Sequence, residues 1–312
     1  MIANSIQDIL SQRIMLLDGG LGTQLQLAGI TGCPDIACLE HPDVVQEIHE
    51  RYLAAGADFI ETNSFSANAI SLEGYDRAQD AYAISLAAAK IARRAADKFT
   101  AATPDKPRFV VGSMGPTSKS ATLAPLMDDP ITPEDFENAY YDQARGLVDG
   151  GADVLMLETM VDALNVRKGL DAIKRVAGEK GRNIPVMVSV SLTDSFGRLL
   201  SGESLEDLYQ QIKGENLLSM GLNCSMGAES MFPFVENLAK LVATPVSVHP
   251  NAGLPNAAGG YDETPAMFAA HMKKMIDAGL VNIVGGCCGT TPQHIRLLAE
   301  VAEGAAPRPL QA

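Results

Sequence analysis

Nowhere in the 312 residues does an uninterrupted apolar run approach the ~18–20 residues that a membrane span needs, so no membrane helix is expected. Basic charge is scarce as well. Lys and Arg number 24 against 38 Asp and Glu, a net charge of −14. A nucleic-acid partner calls for clustered cations, and none is expected here. The acidic balance by itself reports mostly on solubility. The opening MIANSIQDILSQRIMLLDGG lacks the basic region, apolar core and small-residue cleavage site of a secretory signal. The expected location is the cytoplasm, where thiols stay reduced. Five cysteines are too few for a disulfide framework at this size, and two of them are adjacent. In a reducing compartment, clustered cysteines point to metal binding or chemistry.

Hydrophobic residues make up 46% and charged residues 20%, ordinary for a globular chain with a sizeable core. Short apolar runs recur at 14–17, 58–61, 109–112, 153–157, 185–190, 218–222, 245–248 and 281–284. They are near-continuous, as expected of parallel strands covered on both faces. Stretches with helical spacing lie between them. One spans 42–55, with Gly56 placed to end it, and another spans 134–149, opened by Thr132 and Pro133. Gly56-Ala57-Asp58 and Gly151-Ala152-Asp153 each lead into a strand that ends Glu-Thr, an internal echo of one βα unit. The expectation is a single-domain (β/α)8 TIM barrel over 1–303, with a linker-like Ala/Pro-rich tail at 304–312. A doubly wound sheet is the runner-up, but no GxGxxG turn follows the first strand.

In such a barrel the chemistry sits just beyond the strands' carboxyl ends. Those segments here run Asp18-Gly19-Gly20, Glu61-Thr62-Asn63-Ser64, Gly115-Pro116-Thr117, Glu158-Thr159, Asn223-Cys224, His249-Pro250-Asn251 and Gly285-Gly286-Cys287-Cys288-Gly289. Strands six and eight are separated by one strand, so Cys224 can meet Cys287 and Cys288 above the rim. Three thiolates suit zinc, and three protein ligands with one open position define a catalytic site. Spacing alone leaves other readings open: Cys224 as a buried small hydrophobe, or Cys287 and Cys288 as a vicinal disulfide. Cys33 and Cys38, in an early loop away from the rim, are expected to be structural.

The segments DGGLGT (18–23), ETNSF (61–65), GPT (115–117), LET (157–159), GLNCS (221–225) and GGCCGTTPQHI (285–295) resemble the homocysteine S-methyltransferase family. They span essentially the whole chain in order. HPNAGLPNAAGGYDETP (249–265) is similar to the homocysteine-binding module of cobalamin-dependent methionine synthase, whereas the short loop from Gly29 to Pro42 resembles the compact members that use betaine or S-methylmethionine.

The resemblance implies that Cys224, Cys287 and Cys288 hold Zn2+ and that the sulfur of L-homocysteine takes the fourth position. A free thiol, with pKa about 8.5, is mostly protonated at neutral pH, whereas a coordinating thiol is deprotonated. Glu158, assisted by Asp18, is the expected partner of the substrate ammonium. The amides of Gly19 and Gly20 are expected to face its carboxylate. Asn63 and Glu61 are expected either to organise a loop or to touch substrate. His249 is expected to orient its loop and His294 to be structural. The expected donor is methylcobalamin supplied by another domain or protein, since no Asp-x-His-x-x-Gly motif occurs here. Betaine- or S-methylmethionine-dependent transfer is the alternative. A non-catalytic zinc scaffold is a reading of a different class, and a metal-dependent hydrolase, for which only His249 is placed, carries little weight.

Overall fold

The computed structural model describes residues 2–127 and 129–310. Eight parallel strands form one sheet: β1 (Met15–Leu16), β2 (Phe59–Glu61), β3 (Phe109–Met114), β4 (Val154–Met160), β5 (Val186–Val190), β6 (Leu217–Gly227), β7 (Val246–Asn251) and β8 (Ile283–Val284). Their order, β1-β8-β7-β6-β5-β4-β3-β2, leaves β1 and β2 as the last neighbours to meet. Asp58 stitches them together. Its amide donates to Leu16 O at 2.8 Å, and its carboxylate accepts from the Leu16 amide at 2.9 Å. The result is the (β/α)8 barrel expected from the apolar runs.

Each strand is covered on both faces. Met15, Leu17, Phe59, Val111, Val154, Met156 and Met187 fill the barrel, while alternate residues such as Leu155, Leu157 and Val188 pack against the helices outside. This is why the strands read as continuous apolar runs. Ile6 and Leu10, from the helix Ile2–Gln12, join the interior cluster. The helix Pro42–Ala55 ends at Gly56 (φ 116°). The helix Pro133–Gly150 opens with a capping box between Thr132 and Asp135. No described helix is long and apolar enough to cross a membrane.

The tail, expected to be linker-like, is docked at Arg308, and residues 311–312 lie outside the described residues. Arg308 is buried. It donates to Ala239 O and Val242 O at 2.6 Å each and to Thr244 O at 3.1 Å. Those carbonyls lie at and just beyond the end of the helix Ala228–Leu241, where unpaired acceptors favour a cation.

Candidate active site

Side chains facing the barrel axis change from apolar to polar at one level. Phe59 is followed two places on by Glu61, Val111 by Ser113, Met156 by Glu158 and Met187 by Ser189. Residues two apart share a strand face, so these four stand above the apolar plug. Asn223 and His249 reach the same rim as register partners from β6 and β7.

The acidic residues here are crowded. The Ser113 hydroxyl donates to Glu158 Oε1, and the Glu61 amide donates to Asp18 Oδ2 at 3.1 Å. Glu61, Glu158 and His249 bring one ligand atom each within 4.8 Å of one another. Among the described residues, Asp18 Oδ1, Glu61 Oε1 and His249 Nε2 are buried without a hydrogen-bond partner. Burial pushes the Glu158 carboxyl up to about 7, although the Ser113 hydroxyl works the other way. Burial, and then the charge of Glu158, hold Glu61 well above the ordinary carboxylate range. Asp18 is raised too, chiefly by burial. Burial also takes His249 down to about 3, so its imidazole is neutral. A pit of this kind has an unmet demand for positive charge or protons.

The three rim cysteines converge. Cys224 Sγ and Cys287 Sγ each lie 4.0 Å from Cys288 Sγ, and all three sulfurs fall within 4.8 Å of one another. Tetrahedral zinc with Zn–S bonds of about 2.3 Å separates two sulfurs by about 3.8 Å. The thiols therefore fit a three-sulfur metal site as they stand. All five cysteines are free thiols, so the vicinal-disulfide reading of Cys287 and Cys288 is not met. The neighbouring thiols of Cys287 and then Cys288 pull Cys224 down to about 2.

The backbone around the cysteines is well tied. The Cys287 amide donates to Pro250 O at 2.8 Å and the Cys288 amide to Asn251 Oδ1 at 3.1 Å. Thr290 Oγ1 donates to Cys287 O at 2.7 Å and accepts from the Gly20 amide at 3.0 Å. A β-carbon on Gly20 would stand 2.5 Å from Cys287 O. Gly20 is thus explained by close packing between the first and last rim loops, and its amide is already engaged.

Beside the sulfurs opens a cavity of about 210 Å³, lined by Asp35, Glu61, Asn63, Glu158, Cys224 and Cys288 among others. Among the described residues its lining carries three carboxylates and no lysine, arginine or histidine. Gly19 and Gly20 line it too, whereas Asp18 lies behind Glu61. Asn63 organises the loop: its amide nitrogen donates to Pro34 O at 2.8 Å and reaches Cys38 Sγ at 3.5 Å. Cys33 and Cys38 are buried, but the segment that carries them does not stand away from the rim. It folds back over the cavity and brings Pro34 and Asp35 into the wall. Asp35, pushed up to about 6 by burial, is a site residue that motif reading passes over. Ser113 and Ser189 escape notice for another reason. Only the facing of their strands, two places beyond an interior apolar residue, marks them out. His294 caps its own helix, with Nδ1 2.9 Å from Thr291 Oγ1 and Nε2 3.0 Å from Glu263 O.

Residues 15–302 match the family model described as homocysteine S-methyltransferase. The chain belongs to the homocysteine S-methyltransferase family. Among solved structures it resembles the homocysteine methyltransferase MmuM from Escherichia coli in its metallated form, with 25% identity and a TM-score of 0.76, covering 96% of this chain and 99% of that one. The oxidized form of that enzyme gives the same figures. Its apo form is 26% identical, with a TM-score of 0.71 and coverage of 93% and 96%. As a member of this methyltransferase family, the chain has a cavity that brings sulfur ligands and carboxylates together at the barrel mouth.

Proposed function

We propose that this methyltransferase moves a methyl group to the sulfur of L-homocysteine, giving methionine, with Zn2+ held by Cys224, Cys287 and Cys288. The observation that carries the reading is the placement of three converging thiols beside a cavity walled by carboxylates and without a basic side chain. Zinc in such a site supplies a Lewis acid that keeps a bound thiol deprotonated at neutral pH. Glu158 receives the substrate ammonium, and Asp18 stands behind it, holding the Glu61 backbone. Gly19 and Gly20 form the wall on which the substrate carboxylate rests. Asn63 keeps the covering loop in place.

The donor best supported is a small molecule whose methyl group sits on a cationic sulfur or nitrogen, of the S-methylmethionine or betaine kind, not the methylcobalamin first expected. The ionised fraction of Asp35 and Glu158 in the wall favours a donor with a cationic methyl-bearing atom over a neutral one. The similar Escherichia coli enzyme is matched over 99% of its length by this single barrel. The transfer balances simply. The substrate thiolate forms a carbon–sulfur bond as the donor's bond to its methyl carbon breaks, and the donor leaves as a neutral thioether or amine. Opposite charges cancel along the way, so a water-poor cavity assists the step. A cobalamin partner belongs to the alternative reading, whereas a cytoplasmic setting, where thiols stay reduced, goes with either donor.

The test is turnover of homocysteine by the zinc-loaded protein with S-methylmethionine, betaine and methylcobalamin offered separately. Methionine formed from a cationic donor alone supports the proposal. Methionine formed only from methylcobalamin returns the assignment to the cobalamin-dependent branch.

A further inference from the structure

Left-handed backbone on residues other than glycine is rare among the described residues. Three of its four instances lie near the ends of β4 and β6, the two strands that flank β5: Thr159 (φ 54°), Cys224 (φ 58°) and Ser225 (φ 55°). The strand registers break at the same places, between Leu157 and Met160 in β4 and between Asn223 and Gly227 in β6. Thr159 is branched at Cβ, the type of side chain that tolerates this conformation least.

One side chain joins the two irregularities. Asn223, fully buried, accepts from the Thr159 amide at 2.9 Å and from the Ser189 hydroxyl at 2.7 Å through Oδ1. Its Nδ2 donates to Thr159 Oγ1 at 2.7 Å. A single carboxamide thus spans β4, β5 and β6 at the cavity floor. Glu158 immediately precedes the residue it grips, and Cys224 immediately follows Asn223 itself.

We infer that Asn223 is a positioning residue. By holding Thr159 in its left-handed turn it sets where the Glu158 carboxylate stands relative to Cys224 sulfur, and so the span between the ammonium and thiol of the amino-acid substrate. The inference rests on the reading of Glu158 and Cys224 given above. It predicts a role in measuring substrate length: homocysteine and cysteine carry the same two groups one methylene apart, and the Asn223 bridge tunes the site to the longer. Aspartate in its place keeps the acceptor but loses the donor to Thr159 Oγ1, and alanine loses all three bonds.

The experiment compares zinc-loaded wild type, Asn223→Ala, Thr159→Val and the Asn223→Ala/Thr159→Gly pair. Homocysteine and cysteine binding are read by calorimetry, homocysteine KM by turnover, and zinc content by metal analysis. Asn223→Ala is expected to weaken homocysteine roughly tenfold, about 1.4 kcal/mol, and to narrow its preference over cysteine, with zinc content unchanged. Glycine adopts positive φ unaided, so the paired variant recovers most of the loss. A purely structural role for Asn223 would not be rescued in this way. Unchanged homocysteine affinity in Asn223→Ala, or a loss that the glycine does not recover, overturns the inference. Should Asn223→Ala not fold, Thr159→Val, which loses one of the three bonds, is expected to show a smaller loss in the same direction, and unchanged affinity there overturns the inference equally. A wild-type protein that does not bind homocysteine at all overturns the underlying functional reading, and this inference with it.

Discussion

The sulfur atoms of Cys224 and Cys288 lie 4.0 Å apart although 64 positions separate them in sequence. The barrel makes the distance short. β6 and β8 flank β7, and the amides that follow β8 are tied to Pro250 and Asn251 at the end of β7. Three soft donors at this spacing, with no fourth cysteine, histidine or carboxylate in the same group among the described residues, would leave a bound zinc one position for the sulfur of the proposed substrate.

Removing one ligand should therefore empty the site. Cys288→Ala is expected to bring zinc from about one per chain to near zero and to abolish methyl transfer, while the far-ultraviolet circular dichroism stays that of the barrel. Metal analysis on the purified variant checks it.

Glu158 gives the reaction a pH dependence. Its folded-site pKa stands at about 7, raised by burial. The carboxylate that attracts the substrate ammonium is therefore present above pH about 7 and lost as the pH falls through it. The homocysteine KM should rise as pH is lowered from 8 to 6 by roughly tenfold. Glu158→Gln should have a raised KM that changes less over this range than that of the wild type. Asp18 and Glu61 face the same pit and are also raised by burial, so their protonation acts in the same direction.

Gly20 tests the link between the first and last rim loops. Its β-carbon would lie 2.5 Å from the Cys287 carbonyl. Gly20→Ala is expected to cost about 1–3 kcal/mol and to loosen zinc, because the displaced backbone carries a ligand. Thermal melts with and without added zinc measure both effects.

Arg308 tests the docked tail. Its guanidinium supplies three hydrogen bonds to otherwise open carbonyls. Arg308→Ala should lower stability by about 2–4 kcal/mol without changing the homocysteine KM, since these contacts lie away from the cavity. Denaturant unfolding and steady-state kinetics separate the two.

The barrel was legible because its strands are buried on both faces, which leaves apolar runs that composition cannot hide. The cysteines were legible because glycine-flanked vicinal thiols are unusual and Cys224 follows a strand. Other parts were not. The segment from Cys33 to Cys38 folds back by contacts with Asn63 and Ser66, and nothing in its local pattern announces that register. Asp35 was missed for that reason. Ser113, Ser189 and Asn223 become visible only once the inward face of each strand is known. The tail reads as a linker because its Pro and Ala are uninformative, and a single buried arginine decides its docking.

The measurement that tests the central claim most directly is X-ray absorption at the zinc edge, before and after homocysteine is added. The sulfur count at zinc should rise from about three to about four as the substrate thiol enters the open position. A count that stays at three, or a resting site already closed by a fourth protein ligand, would contradict the catalytic reading and favour a structural zinc.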